Sequence, residues 1–338
     1  MSSKPALWIS RPTFDDVIAP LAEHFDVRAE TVERNFSSDE IRQRLADCDA
    51  AIVGMKEHIG TREVQDAARL RMVANFSVGY DNLDVAALTA AGIAASNTAG
   101  SLNDSVADFA WALILAAARR LGEAERWVRA GQWQHPAQFL DWLGTDVFGG
   151  TLGILGMGRI GQAVARRATG FRMPVIYHNR SRLDAATERD CAARYVDKAT
   201  LLREADVLVV VVPLTDATRH IIGADELTAM KSTAVLVNVA RGGVVDDVAL
   251  AQALAVKRIA AAGLDVFDGE PVLNPALLDL DNVVLAPHVA SATTGTRRAM
   301  AATAVDNVLA FFGHGVHAGQ PPNLLNPEAL TSGPHSST

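Results

Sequence analysis

Thr151-Leu-Gly-Ile-Leu-Gly156-Met-Gly158-Arg-Ile-Gly161-Gln-Ala-Val-Ala-Arg166 constrains this chain more than any other stretch. Mostly apolar residues run into glycines spaced as G-x-G-x-x-G, and a helical pattern follows. In a strand-turn-helix unit Gly156 permits the tight turn and Gly158 lets the backbone approach a pyrophosphate. Gly161 lets the helix pack closely on the strand. The helix N-terminus then offers unpaired N–H groups and a positive dipole end to phosphates. Taken alone, such a pattern can be a chance glycine cluster. Here a second strand, Pro174-Val-Ile-Tyr-His178, follows at the spacing of a βαβ unit, and the expectation is dinucleotide binding.

The end of that second strand chooses the dinucleotide. An NAD site usually carries an Asp or Glu there to accept the ribose hydroxyls. This chain has Asn179-Arg180-Ser181-Arg182 instead. Two guanidinium groups and a hydroxyl suit a 2′-phosphate, so NADP (as NADPH) is expected and NAD is less favoured. The competing reading is an ordinary solvated basic loop.

A chain of 338 residues is expected to form two domains. With a net charge of −8 and no long basic block, nucleic acid is not an expected partner. Cys48 and Cys191 lie far apart without metal-type spacing, so reduced structural thiols and no metal are expected. No basic-then-apolar leader is visible. The longest apolar run, residues 106–118, is too short for a membrane span and contains Asp108. The expectation is a cytoplasmic protein without a membrane partner.

Along the chain, strands are expected at 6–9, 50–53, 71–77 and 93–96. Helices are expected at 14–25 (Thr13 as cap, Pro20 as a kink), from Ser38, at 61–68 and at 83–91 before Gly92. Residues 97–101 read as a crossing between domains. Residues 102–120 form a long apolar helix, expected to serve both core and subunit contact, and 122–131 form another helix. The irregular stretch 132–150 carries Trp133, Phe139, Trp142 and Phe148, as an arm packed on something or folded on its own domain. Further strands are expected at 207–212, 234–239, 260–266 and 283–286, with helices at 225–230, 247–256 and 294–312. A Pro/Gly-containing tail ends in a mobile stretch, 326–338.

Arg241, Glu270 and His288 each follow a strand. In a doubly wound sheet, ligands lie beyond the carboxyl ends of the strands. The chemistry matched to a nicotinamide is hydride transfer to a carbonyl, which needs a proton donor, something to tune it, and a cation for the substrate. His288 is the expected donor. Glu270 can hold its other ring nitrogen and favour the charged ring, and Arg241 can bind a carboxylate or polarise the keto oxygen.

The set Gly156-Met-Gly158-Arg-Ile-Gly161, Asn238-Val-Ala-Arg241-Gly-Gly-Val-Val-Asp, Gly263-Leu-Asp-Val-Phe-Asp-Gly-Glu270-Pro and Pro287-His288-Val-Ala-Ser-Ala resembles the D-isomer-specific 2-hydroxyacid dehydrogenases. The resemblance covers residues 5–325. It is nearest to the bacterial branch that reduces glyoxylate, hydroxypyruvate and 2-ketogluconate, which the 76–82 loop and the 179–182 cluster both match. It implies an α/β protein in which a doubly wound Rossmann sheet, residues 99–290, is inserted into a smaller flavodoxin-like substrate domain, 1–98 plus 291–325. It also implies a homodimer and a small 2-keto or 2-hydroxy acid substrate. Expected cofactor contacts are Gly156, Gly158, Arg159, Ile160, Gly161, Asn179, Arg180, Ser181, Arg182, Val212, Pro213, Val239, Ala240 and Asp265. Expected substrate contacts are Ser77, the N–H groups of Val78 and Gly79 beside Arg241, His288, and Trp142 reaching a neighbouring subunit's pocket.

Some positions depart from the family pattern. Ala99 stands where a proline is usual, Ala290 where a glycine is usual, and Met55-Lys56 where Leu-Ser is commoner. The alternatives are a same-fold dehydrogenase for another anion, such as phosphite, and a dinucleotide-sensing corepressor.

Overall fold

The computed structural model describes residues 4–330. The chain divides into two compact units, Met1–Leu102 with Thr293–Thr338, and Asn103–Ala292. The boundaries expected from sequence are 98/99 and 290/291. Among the described residues no helix is long and apolar enough to cross a membrane.

The first unit holds strands β1 (Ala6–Ile9), β2 (Asp26–Ala29), β3 (Ala50–Val53), β4 (Met72–Asn75) and β5 (Ala94–Ser96). All pair in parallel, in the order β2-β1-β3-β4-β5. This is the flavodoxin-like order. β1, β3 and β4 are buried along their whole length, as continuous apolar runs in a parallel sheet should be. The expected helix 14–25 is shorter. Asp15–Ile18 is α-helical and Ala19–Glu23 tightens into a 3₁₀ turn with Pro20 in its first turn, because proline supplies no N–H for continued pairing. That early stop frees Asp26–Ala29 to pair as β2, an edge strand not expected from the sequence pattern.

Helix Thr294–Phe311 returns to this unit and packs Ala304, Val305, Val308 and Leu309 on one sheet face with Leu7, Ile9, Ile52 and Met72. Residues 326–330, expected in the mobile tail, are docked instead. Asn326 is fully buried, accepts the Ala95 N–H at 2.7 Å and donates to the Ile93 carbonyl at 2.9 Å. Its amide completes the pairing of an edge strand, a role invisible in a polar tail sequence. Residues 331–338 of that expected tail lie outside the described residues.

The second unit holds β6 (Leu152–Leu155), β7 (Val175–His178), β8 (Ala193–Tyr195), β9 (Val207–Val210), β10 (Val235–Asn238), β11 (Ala261–Leu264) and β12 (Val283–Leu285). They run parallel in the order β12-β11-β10-β9-β6-β7-β8. The order reverses between β6 and β9, the switch point of a Rossmann sheet. Helix Asn103–Ala118 buries Val106, Ala107, Ala110, Trp111, Leu113 and Ile114. Its Trp111 stacks on Phe171 at 4.3 Å and donates to the Val164 carbonyl at 3.1 Å. That helix is therefore largely core. Cys48 and Cys191 are both buried and free, and burial pushes the Cys48 thiol up to about 11.

Candidate active site

The cofactor loop begins where β6 ends. Gly156 has φ +103°, and a Cβ there would lie 2.8 Å from the backbone of Val211 and Val212. A Cβ on Gly161 would meet the Gly156 carbonyl oxygen at 2.6 Å, so helix Arg159–Ala168 reaches its strand only because position 161 is glycine. A Cβ on Gly158 would meet nothing within 4 Å, and that residue caps the helix without a side-chain hydrogen bond. A tight turn, a close helix and an open helix N-terminus suit a pyrophosphate. The residues present fit a dinucleotide. Arg159 and Ile160 open the helix, Val212 and Pro213 follow β9, and Val239 and Ala240 follow β10.

At the end of β7 the side chains divide. Asn179 accepts the Met157 N–H at 2.6 Å, tying this strand end to the glycine loop. Arg182 is engaged by Glu188 through two hydrogen bonds of 2.9 and 2.8 Å, and Tyr177 donates to the same carboxylate at 2.8 Å. Arg180 and Ser181 are exposed. The next carboxylate, Asp184, caps helix Ala185–Asp190 through the N–H groups of Ala186 and Thr187. The nearby acids are thus already occupied by local structure.

A histidine–carboxylate pair sits after β11 and β12. His288 Nδ1 lies 2.6 Å from Glu270 Oε1, and the Phe267 N–H donates to Glu270 Oε2 at 3.3 Å. Burial disfavours ionising Glu270. The hydrogen bond and charge of His288, with the Phe267 N–H and the Arg241 charge, outweigh it and hold the carboxyl below its ordinary value. His288 has φ +56°, an uncommon conformation for a residue with a Cβ. Asp265, 1% exposed, maintains it: its two oxygens accept the N–H groups of Val289 and Ala290, each at 2.8 Å. Burial pushes the Asp265 carboxyl up despite those donors. Asp265, expected as a cofactor contact, thus supports the His288 turn, with Ala290 as one of its anchors.

Arg241 follows β10, and its guanidinium donates to the Ala240 carbonyl at 2.8 Å. Asn238, 1% exposed, shapes that turn by accepting the Ala240 N–H at 3.0 Å and donating to the Arg241 carbonyl at 3.3 Å. In the sequence Asn238 stands out only as part of a motif. The signal that marks it is an amide at the end of an apolar strand, directly before a functional turn. Glycine loop, Arg241, Glu270 and His288 all stand at carboxyl ends of strands in one sheet.

The remaining expected contacts stand on other elements. Ser77, Val78 and Gly79 follow β4 in the first unit, and the Ser77 hydroxyl is held by the Gly79 carbonyl. Trp142, half-buried with φ +58°, packs edge-on against Trp127 at 5.2 Å, with the Arg120 guanidinium 5.1 Å from its ring. Within one chain its indole is therefore a local packing partner. Lys56 and Met55 are exposed.

Residues 111–290 match the family model of the D-isomer specific 2-hydroxyacid dehydrogenase NAD binding domain. The glyoxylate reductase of Thermococcus gammatolerans is 46% identical over 333 residues, spanning 97% of each chain. That of Pyrococcus furiosus is 42% identical over 334 residues, again 97% of each. Among solved structures, the NADPH-dependent glyoxylate/hydroxypyruvate reductase of Sinorhizobium meliloti, in complex with NADP and malonate, aligns with a TM-score of 0.80 at 36% identity. That alignment covers 93% of this chain and 96% of the other. Glycine loop, sheet order and the His288–Glu270 pair agree with these likenesses, and the chain belongs to the D-isomer-specific 2-hydroxyacid dehydrogenases.

Proposed function

We propose that this chain reduces small 2-keto acids, glyoxylate and hydroxypyruvate foremost and 2-ketogluconate with them, to D-2-hydroxy acids at the expense of NADPH. The observation that carries the reading is the 2.6 Å His288–Glu270 pair on the sheet edge that also bears the glycine loop. The preference for NADPH is supported by the exposed Arg180 and Ser181 beside a strand end without a free carboxylate. The Sinorhizobium structure with NADP supports it as well.

Held by the glycine loop and the Arg180–Ser181 strand end, a nicotinamide cofactor would supply a hydride to the keto carbon. His288 donates a proton from Nε2 to the oxygen that becomes the hydroxyl, while Glu270 holds Nδ1–H and stabilises the charged ring. Arg241 polarises the keto oxygen. The main-chain N–H groups of Val78 and Gly79 receive the substrate carboxylate. A homodimer is part of the proposal. Trp133, Phe139, Leu140 and Leu143 lie 62%, 95%, 73% and 64% exposed on one segment of the second unit, more apolar surface than a solvated loop normally carries. The test is one kinetic panel of the three acids with NADPH and NADH. Turnover of phosphite and of no 2-keto acid would refute the assignment.

A further inference from the structure

At the carboxyl end of β4, buried side chains hold the carbonyl oxygens of consecutive residues. Thr98 donates through Oγ1 to the Phe76 carbonyl at 3.1 Å and through its N–H to the Ser77 carbonyl at 3.2 Å. Asn97 Nδ2 donates to the Val78 carbonyl at 2.8 Å. The Gly79 carbonyl takes two donors, Asn75 Nδ2 at 3.0 Å and the Ser77 hydroxyl. The anchors are themselves fixed. Asn75 donates to Asn82 Oδ1 at 2.9 Å, and Asn307 Nδ2 holds the Asn97 carbonyl at 2.9 Å. Thr98 and Asn75 are fully buried, and Ser77 and Asn97 are 5% and 6% exposed.

In a planar trans peptide the N–H points opposite to the C=O. Pulling the Ser77, Val78 and Gly79 carbonyls onto buried donors therefore turns the N–H groups of Val78, Gly79 and Tyr80 away from the interior. No acceptor among the described residues meets those N–H groups. Val78 and Gly79 are half-buried and Tyr80 is 45% exposed, so this loop lies at the unit's surface. Turning any of these peptides over would strand a carbonyl and its buried donor. The orientation is thus set before any ligand arrives.

We propose that Asn75, Ser77, Asn97 and Thr98 are positioning residues for a three-donor anion nest, that the Tyr80 N–H is its third member, and that it takes a small carboxylate. This rests on the reading of Val78 and Gly79 as carboxylate donors and extends it to the residues that aim them. Successive main-chain donors held in one orientation bind an anion without any side-chain charge. The Ser77 hydroxyl acts on the loop, not on substrate.

Oxalate titrated calorimetrically into the NADPH-loaded protein, alongside glyoxylate kinetics, tests the proposal. Asn97→Ala and Ser77→Ala should each weaken oxalate by about three- to tenfold, the scale of one lost hydrogen bond, and raise the glyoxylate KM equally. The kcat and the KM for NADPH should stay near wild type. Ser77→Thr keeps the donor and should bind oxalate like wild type. Thermal melting identifies folded variants, and Ser77→Ala, which removes one oxygen, carries the test where Asn97→Ala does not fold. Unchanged oxalate affinity in the alanine variants, weak binding by Ser77→Thr, or a parallel loss of kcat and NADPH affinity overturns the proposal. A wild type that fails to bind oxalate also overturns it. A wild type that binds oxalate, is weakened by the substitutions and yet does not reduce glyoxylate refutes the proposed activity and leaves the nest standing.

Discussion

In the proposed mechanism His288 and Glu270 act as one unit, and the consequences of breaking it differ by which half is removed. His288→Ala should lower kcat by roughly 10²–10⁴-fold, the range for loss of a general acid, with cofactor affinity little changed. Stopped-flow reduction and NADPH titration together read this. Glu270 is different because in the proposed mechanism it does not transfer the proton. Its carboxyl is held below the ordinary range, burial notwithstanding, by the His288 hydrogen bond and charge, so it is ionised at neutral pH. A lowered carboxyl favours the charged pair, and that contribution is present above the unfolded carboxyl's pKa and lost as pH falls through the folded value. Glu270→Gln removes the anion that stabilises the imidazolium. In the proposed mechanism the ring donates the proton, so losing that anion should lower kcat for glyoxylate reduction while NADPH affinity stays near wild type. An unchanged kcat would show that Glu270 does not act on the donor.

The elements show what a sequence makes visible. Buried parallel strands such as β9 and β10 are nearly continuous apolar runs and are legible directly, as is the glycine loop, where a Cβ at Gly156 or Gly161 would meet main chain under 3 Å. The edge strands β2 and β8 are not. Asp26–Ala29 and Ala193–Tyr195 are short, mixed in polarity and largely open to solvent, as edges generally are. Asn326 and the hold of Ser77 on its own loop escape for another reason: both are polar residues whose partners are main-chain atoms, and no local pattern announces such a partner. The β7 end combines both lessons. Its lack of a carboxylate is legible, but the two hydrogen bonds that tie Arg182 to Glu188 are not. In the proposed reading Arg180 and Ser181 are left as the principal 2′-phosphate contacts. Arg180→Asp should therefore reverse much of the NADPH preference, and kcat/KM for both cofactors measures it. A wild type equally fast with NADH would refute the reading of this strand end.

At the scale of the whole molecule the question is what covers the arm and whether the cover reaches catalysis. The exposed Phe139, Leu140 and Leu143 flank Trp142, whose indole rests on Trp127 and beneath the Arg120 guanidinium. Those contacts anchor Trp142 in its own chain. In the proposed homodimer that segment meets the second copy, and an indole edge presented there can close one wall of the neighbouring pocket with an apolar face and an N–H donor. Glyoxylate has nothing to place against such a wall, whereas hydroxypyruvate and 2-ketogluconate carry hydroxyls that can meet it. Trp142→Ala should therefore leave a dimer that binds NADPH but discriminates less among the acids, its kcat/KM falling more for the two larger substrates than for glyoxylate. Sedimentation of the variant separates a wall from a fastener. Equal losses across the three acids, or a monomeric variant, would make Trp142 a packing partner of Trp127 and nothing more.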